Sequence, residues 1–362
     1  MSRIDDLITE LAPEGVEFKT LGNVLRIKNG KDHKSLGDGS VPVYGSGGIM
    51  RYVDSSAAEG PSVLIPRKGS LGNIFYVEGP FWVVDTIFRT EIDSSQVEPK
   101  FVYHQLLTMK LGEMNQAGGV PSQTQSVLNG LRIPVPPLEV QREIVRILDQ
   151  FTQLEAELEA ELEARRRQYE HYRDQLLTFR ETGGVRWIPM GDVVDISTGT
   201  KPSEVSDAGH FPYINAGNDP SGFAALANSR GNMITIPSRG QGGAGHVGYQ
   251  KVDFWCGPLC YRIHSKSEAL STRFLYFYLR NVQDDLVALR KVGSIPAVNK
   301  SDLGKVLVPV VSLEEQQRVV GILDKFDALV NDLSGGLPAE LAARRKQYEY
   351  YRDRLLTFEE AG

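Results

Sequence analysis

The sequence predicts an α+β protein: two α+β domains separated by two long antiparallel coiled-coil helices, with an internal pseudo-two-fold repeat. Three observations predict it. Two blocks of sequence recur in the same order, each block carries helical apolar spacing, and each follows a stretch of short strand-like runs broken by glycines. At 362 residues the chain is also too long for one ordinary core.

The repeat is the main signal. Residues 134–151 read PVPPLEVQREIVRILDQF, and residues 309–326 read PVVSLEEQQRVVGILDKF, an offset of 175. Residues 165–179, RRRQYEHYRDQLLTF, return as RRKQYEYYRDRLLTF at 344–358, where the offset is 179. Chance does not produce two such blocks in one order.

Each block is helical by its periodicity. Ile144, Ile147, Leu148, Phe151, Leu154 and Leu158 fall at three- and four-residue steps, and Tyr169, Tyr172 and Leu176 resume the stripe. The second copy offers Val319, Ile322, Leu323, Phe326, Leu329 and Leu333, then Tyr348, Tyr351 and Leu355. Pro134, Pro136 and Pro137 stand before the first helix and Pro309 before the second, an entrance where proline is tolerated. The acidic stretch from Glu155 is polar except for a narrow seam, as in one half of a helix pair. About 40 residues at roughly 1.5 Å each make a rod near 60 Å long. Four extra residues in the second copy fall near Gly335, Gly336 and Pro338, where a bend or an adjustment of spacing is expected.

Ahead of the rods lie two more distantly related domains. Val16 to Val24 and Val185 to Val193 open them, and Leu64-Ile-Pro-Arg-Lys-Gly aligns with Thr235-Ile-Pro-Ser-Arg-Gly. Phe81-Trp82 matches Phe254-Trp255, and Phe101-Val-Tyr matches Phe274-Leu-Tyr. Helical pieces near 100–110 and 272–290 close the domains, and Ile4, Leu7, Ile8 and Leu11 mark a short amphipathic helix at the start. The resulting domains are 1–135 (with the N-terminal helix) and 181–310, and the helices 136–180 and 311–362.

Composition narrows the function. The formal net charge is −6, against simple phosphate binding. Most of that charge sits on the helices: 139–179 hold ten acids and six bases, and 313–358 eight and seven. The rest is nearly balanced, with 28 acids and 27 bases, so local basic clusters remain available but bind weakly unaided. Two cysteines, Cys256 and Cys260, cannot complete a zinc site and read as buried thiols in a reducing, cytoplasmic setting. The six histidines are scattered without metal-ligand spacing. Gly243 to Gly248 formally matches G-x-G-x-x-G, but the following residues read as a turn into a strand rather than a helix. A Walker-type loop and the Asn/Asp-Pro-Pro-Tyr signature of an amino-methyltransferase are missing from the sequence. The chain is therefore read as non-catalytic.

The order and spacing of Pro-x-Pro-Pro-Leu-Glu-x-Gln-x-x-Ile-Val (from Pro134) and Arg-Arg-Gln-Tyr-x-x-Tyr-Arg-Asp-x-Leu-Leu (from Arg166) resemble the specificity subunit of Type I restriction-modification systems. The resemblance covers essentially the whole chain. It implies two target-recognition domains, each reading half of a bipartite double-stranded DNA sequence. It also implies helices that act as a ruler and dock two adenine-methyltransferase subunits, which restriction subunits join. No cofactor is implied in this chain: S-adenosylmethionine, and ATP with Mg where a restriction subunit is present, belong to partner subunits. The Gly-Pro interruption departs from a straight second rod.

Base readout needs forked donors on loops or helix ends. In the first domain the candidates are Lys28, Lys31, Arg67, Lys68, Gln123 and Gln125; in the second, Lys201, Arg239, Gln241, His246, Asn299 and Lys300. A basic residue beside glycine recurs in both copies, which raises these positions above a lone solvated charge. Lysines are read as phosphate contacts first. Gln141, Arg142 and Gln316, at the helix starts, are candidates for binding the methyltransferase, against the plainer reading that they cap or solvate the helix. The competing function is a coiled-coil assembly scaffold without sequence-specific DNA binding. It accounts for the acidic rods and leaves the basic-glycine loops unexplained.

Overall fold

The computed structural model describes residues 3–114, 122–179, 185–217, 219–291, 293–332 and 334–361, so the expectation for Leu333 lies outside the described residues. Eleven α-helices occur among them, in chain order α1 (Arg3–Leu11), α2 (Leu21–Val24), α3 (Pro99–Thr108), α4 (Gln125–Asn129) and α5 (Leu138–Leu177), then α6 (Met190–Val193), α7 (Thr272–Asn281), α8 (Gln283–Ala288), α9 (Lys300–Gly304), α10 (Leu313–Asn331) and α11 (Leu337–Leu355). The chain forms two compact units: Met1–Glu159 with Glu340–Gly362, and Ala160–Ala339. Helix α5 therefore gives its first half to one unit and its second half to the other.

In the first unit, Leu25–Asn29, Ile87–Ile92, Ser62–Pro66 and Phe75–Val77 form an antiparallel sheet in that order. The core lies on one face of it, where Val63, Ile65 and Phe88 meet Val102 and Leu106 of α3. A second sheet pairs Asp38–Gly45 with Gly48–Val53 as a hairpin and, in parallel, with Pro80–Val83. The second unit repeats this plan. Val194–Thr198, Cys260–Ser265, Met233–Pro237 and Gly248–Gln250 form the antiparallel sheet, and Phe211–Ile214 runs parallel to Trp255–Cys256. The strand at Gly248–Gln250 follows directly on the glycine run, as the sequence predicts, which excludes a dinucleotide loop there. Each domain is closed by its first and last strands, Phe18–Thr20 with Arg132–Pro134 and Arg186–Pro189 with Leu307–Val310.

The long helices pair as their stripes require. In the first unit Phe151 stacks on Tyr351 at 5.5 Å and meets Tyr348 at 6.3 Å, while Arg345 pairs with Glu155 and Glu159. Rising numbers on α5 meet falling numbers on α11, so the pair is antiparallel. In the second unit Phe326 of α10 meets Tyr172 at 5.5 Å and Tyr169 at 6.3 Å. The four tyrosines are thus seam residues. Val140, Ile144 and Leu148 of α5 pack with Leu356, Ile4 and Phe101 in one cluster, and Val319 and Leu323 of α10 join Leu177 and Phe274 in another.

One expectation needs correction. Residues 311–362 do not form a single helix: α10 stops at Asn331 and α11 begins at Leu337. The side chain of Asp332 accepts hydrogen bonds from the backbone and hydroxyl of Ser334, at 2.8 and 2.6 Å. A Cβ on Gly336 would lie 2.5 Å from the Ala328 carbonyl oxygen, so the turn requires glycine. Pro338 occupies the second position of α11, where no N–H is needed.

Candidate nucleic-acid interface

In the first domain the chain leaves strand Ser62–Pro66 through Arg67, Lys68 and Gly69. Gly69 has φ +81°, a conformation that side chains resist. The Arg67 and Lys68 N–H groups both donate to the Thr86 carbonyl, at 3.0 and 3.4 Å. Lys68 also bridges Ser122, and the Gln123 N–H donates to the Arg67 carbonyl at 2.9 Å. The loop is therefore clipped to the segment that leads into α4, with the Lys68 side chain left exposed.

A second basic segment lies alongside. Gln125 donates to the Asn29 side chain at 3.3 Å, linking α4 to the strand that carries Lys28. After Asn29 the backbone is clamped: the Lys31 N–H donates to the Val83 carbonyl at 2.8 Å, and the Trp82 indole donates to the Lys31 carbonyl at 3.0 Å. A Cβ on Gly30 would sit 2.0 Å from the Val84 carbonyl oxygen, so only glycine passes here. Lys28 and Lys31 stay exposed on this fixed backbone, Lys28 within 3.8 Å of Glu91. A groove of about 830 Å³ adjoins them, lined by His33, Lys34, Ser46, Met50 and Thr86 among others.

The second domain repeats the arrangement with other side chains. Arg239 bridges Ala297, the Val298 N–H donates to the Ser238 carbonyl at 2.9 Å, and Gly240 turns at φ +143°. Arg239 and Gln241 are exposed, as are Lys300 in the first turn of α9 and Lys201. Asn299 precedes α9 and donates to Asp302 at 3.2 Å. The backbone clamp is also repeated: the Thr200 N–H meets the Cys256 carbonyl at 3.1 Å, and the Trp255 indole donates to the Thr200 carbonyl at 2.7 Å. A Cβ on Gly199 would lie 1.8 Å from that same Cys256 oxygen.

Several residues expected at this surface are placed otherwise. Gln123 is buried, its amide donating to the Leu111 carbonyl at 2.7 Å, so it holds the loop rather than facing solvent. Arg67 is half-buried with its guanidinium 5.2 Å from the Phe88 ring centre. His246 lines a small cavity with Tyr276 and Arg280, and burial, then Arg290 and Arg280, hold its imidazole below the ordinary value. It is therefore a neutral hydrogen-bonding group at pH 7, not a cation. Gln141 and Gln316 are fully buried. Gln141 accepts from the Glu98 N–H at 2.7 Å and donates to the Gln96 and Pro136 carbonyls at 3.0 and 2.7 Å. Gln316 accepts from the Ser271 N–H at 2.8 Å and donates to the Ala269 and Val311 carbonyls at 2.8 and 2.9 Å. Neither has an atom left for a partner; both tie a long helix to its domain. Arg142 remains exposed.

Sequence reasoning missed the hairpin that walls the groove. Ile49, Met50 and Tyr52 are exposed there, at 49, 59 and 51%. The Gly47-Gly48 pair just before them marks a turn, but nothing in the local pattern separates an exposed apolar strand from a buried one. Among the described residues no group of three or more His, Cys, Asp or Glu side chains is placed to hold a metal ion, and no helix is long and apolar enough to cross a membrane. Cys256 and Cys260 are buried free thiols.

Comparison with known proteins gives one consistent answer. Residues 13–164 and 185–343 match the family described as the type I restriction modification DNA specificity domain. Over 95% of the chain and 96% of the relative, it is 30% identical to a protein of Haemophilus influenzae assigned as a type I restriction enzyme specificity subunit. Over 74% of the chain and 73% of the relative, it is 32% identical to the EcoR124I/EcoR124II specificity subunit of Escherichia coli. The fold is similar to the crystal structure of a type I system S subunit from M. genitalium, with TM-score 0.70 at 20% identity, covering 94% of this chain and 96% of that one. A chain from a study of complex assembly in a type I system matches with TM-score 0.57 at 19% identity, over 94% and 97% of the two chains.

Proposed function

The chain belongs to the type I restriction-modification DNA specificity family, and on that premise we propose that each unit reads one half of a bipartite DNA target while partner subunits perform the chemistry. Its relatives are specificity subunits, the non-catalytic components of these systems. The observation that carries the proposal is the duplication of a scaffold with different side chains on it. The glycine clamp, the loop clip and the glutamine tie occur in both units. The polar residues they present differ: Lys28, Lys31 and Lys68 exposed with Gln125 half-buried in one, Lys201, Arg239, Gln241 and Lys300 exposed with Asn299 half-buried in the other. A shared frame with unlike surfaces suits two readers of unlike half-sites.

The partners in this reading are double-stranded DNA and two adenine-methyltransferase subunits, with restriction subunits where the system has them. S-adenosylmethionine, ATP and Mg act on those subunits. The nearly neutral charge of the domains fits this division, because phosphate attraction alone would hold the chain weakly. Exposed lysines position the duplex, while arginine and amide side chains read base edges. The unequal offsets of 175 and 179 between the repeated blocks support helix length as what sets the spacer between half-sites.

Co-expression with an adenine methyltransferase and sequencing of modified bases tests the reading. The expected result is methylation at a split motif that vanishes without this chain. Removing four residues from within 332–338 should alter the spacer or abolish modification. A motif unchanged by the chain's absence overturns the proposal.

A further inference from the structure

Where the closing helix of each domain meets its long helix, the same cradle is built twice, and one copy is filled. In the second unit Arg273 of α7 occupies it. The guanidinium lies 4.4, 4.8 and 4.5 Å from the ring centres of Tyr249, Tyr276 and Phe277. It bonds to Asp324 at 2.6 Å and reaches Asp327 at 3.4 Å. Aromatic faces and two carboxylates thus surround a planar cation.

The repeat places Tyr76, Tyr103 and His104 at the positions of those rings, Lys100 at that of Arg273, and Asp149 and Thr152 at those of the two aspartates. Lys100 keeps the ion pair, at 2.8 Å from Asp149 Oδ2, but stands 5.5 Å from the Tyr76 ring centre and covers no other ring. A lysine ammonium is a compact point charge and does not fill the space a stacked guanidinium fills. What remains is a cleft of about 380 Å³, lined by Tyr44, Tyr76, Tyr103, Lys100, His104 and Asp149.

Two groups at the cleft are unspent. The His104 side chain is 2% exposed and its Nε2 has no hydrogen-bond partner, since Asp149 Oδ1 is 3.9 Å away and only Nδ1 is engaged, by Tyr348 at 3.3 Å. That same Asp149 Oδ1 is the carboxylate oxygen that Lys100 leaves free. Around them the charge is acidic: Glu78, Glu98 and Asp149 act on the Lys100 ammonium, while the nearby Arg352 is bonded to Asp353.

We propose that this cleft is a binding site for a guanidinium group supplied from outside the chain, held by Asp149 Oδ1 and His104 Nε2 against the faces of Tyr44 and Tyr103. The filled copy shows the chemistry the cradle accepts. The group would come from free arginine or from an arginine side chain of another protein. With one carboxylate shared with Lys100, the contact belongs in the millimolar range, a Kd of about 1 mM.

The test uses the full chain with isotope-labelled histidine and tyrosine, titrated with L-arginine, with acetyl-Gly-Arg-Gly-amide and with the lysine peptide. Saturable shifts of His104 with the arginine peptide and not with the lysine peptide support a side-chain site; saturation by free arginine alone supports a small-molecule site. Lys100→Arg supplies a tethered guanidinium and should abolish binding. Thr152→Asp restores the second carboxylate and should tighten binding about tenfold. Both variants are checked for unchanged melting before titration. Absence of saturation in the wild-type chain, equal response to lysine, or binding unaffected by Lys100→Arg each overturns the assignment.

Discussion

Gln141 and Gln316, 175 positions apart, make the same three hydrogen bonds: each accepts one backbone N–H at the start of its domain's closing helix and donates to two carbonyls. A buried amide that satisfies three backbone groups fixes the angle at which a domain meets its helix. Removing one should leave those groups unpaired. Gln141→Ala and Gln316→Ala should each cost about 2–3 kcal/mol, measured by denaturant unfolding with a probe in the affected unit. Under the proposed function, Gln141→Ala should relax methylation specificity at one half-site and Gln316→Ala at the other. Equal relaxation at both half-sites by either variant would contradict a local tie.

The glycine clamp gives a second prediction. Alanine at Gly30 or Gly199 forces a methyl group onto a carbonyl oxygen 2.0 or 1.8 Å away. The backbone must shift, at a cost of about 2 kcal/mol. Thermal melting should register the loss, and the Trp82 or Trp255 indole should show a changed emission as its bond to residue 31 or 200 breaks.

Lys68 and Arg239 stand at matching loop positions with exposed side chains. Lys68→Ala should weaken DNA binding by the assembled complex across sequences and lower the slope of log affinity against log salt by about 1. Arg239→Ala should in addition relax base preference at one position. Binding measured from low to high salt separates the two. An unchanged slope for Lys68→Ala would remove that residue from the interface.

His104 makes stability depend on pH. Burial is the main cause that pulls its imidazole down to about 4, while Asp149 pulls the other way. The unfolded chain, with an ordinary value of 6.5, binds the proton first as pH falls. Stability is therefore intact above 6.5, declines between 6.5 and 4, and flattens below. The full loss is about 3 kcal/mol. His104→Phe, which copies Phe277, should remove that part of the slope in unfolding measured from pH 7 to 4. A slope identical to wild type would show that another group carries it.

Much of this architecture was legible in the sequence because long helices repeat their apolar spacing many times over. The tyrosines at 169, 172, 348 and 351 fell in the seam for that reason. The glutamine ties were not legible. A glutamine near a helix start looks alike whether it faces water or backbone, and two of the three groups it bonds lie more than 40 positions upstream. A usable signal did exist: glutamine is kept at 141 and 316 while the next two residues change from Arg142 and Glu143 to Gln317 and Arg318. Gln123 failed similarly, since a loop amide gives no local sign of being turned inward. The interruption after Asn331 was legible in Gly335, Gly336 and Pro338, but not whether it would be a bend or a full break, because helix breakers mark a position without stating how far the chain departs there.

The first unit is assembled from both ends of the chain. Val16 exchanges backbone hydrogen bonds with Glu359 and Ala361, Gln105 donates to the Leu356 carbonyl, and Phe358 packs on Phe101. The second unit is one uninterrupted stretch. During synthesis, residues 160–339 have every part they need as soon as they leave the ribosome. The earlier-made domain must wait, with the surface around Phe101 and Ile144 open to solvent, until its closing helix emerges. The portion translated first is the portion completed last, and that interval is when the nascent protein is most exposed to aggregation and to chaperone capture.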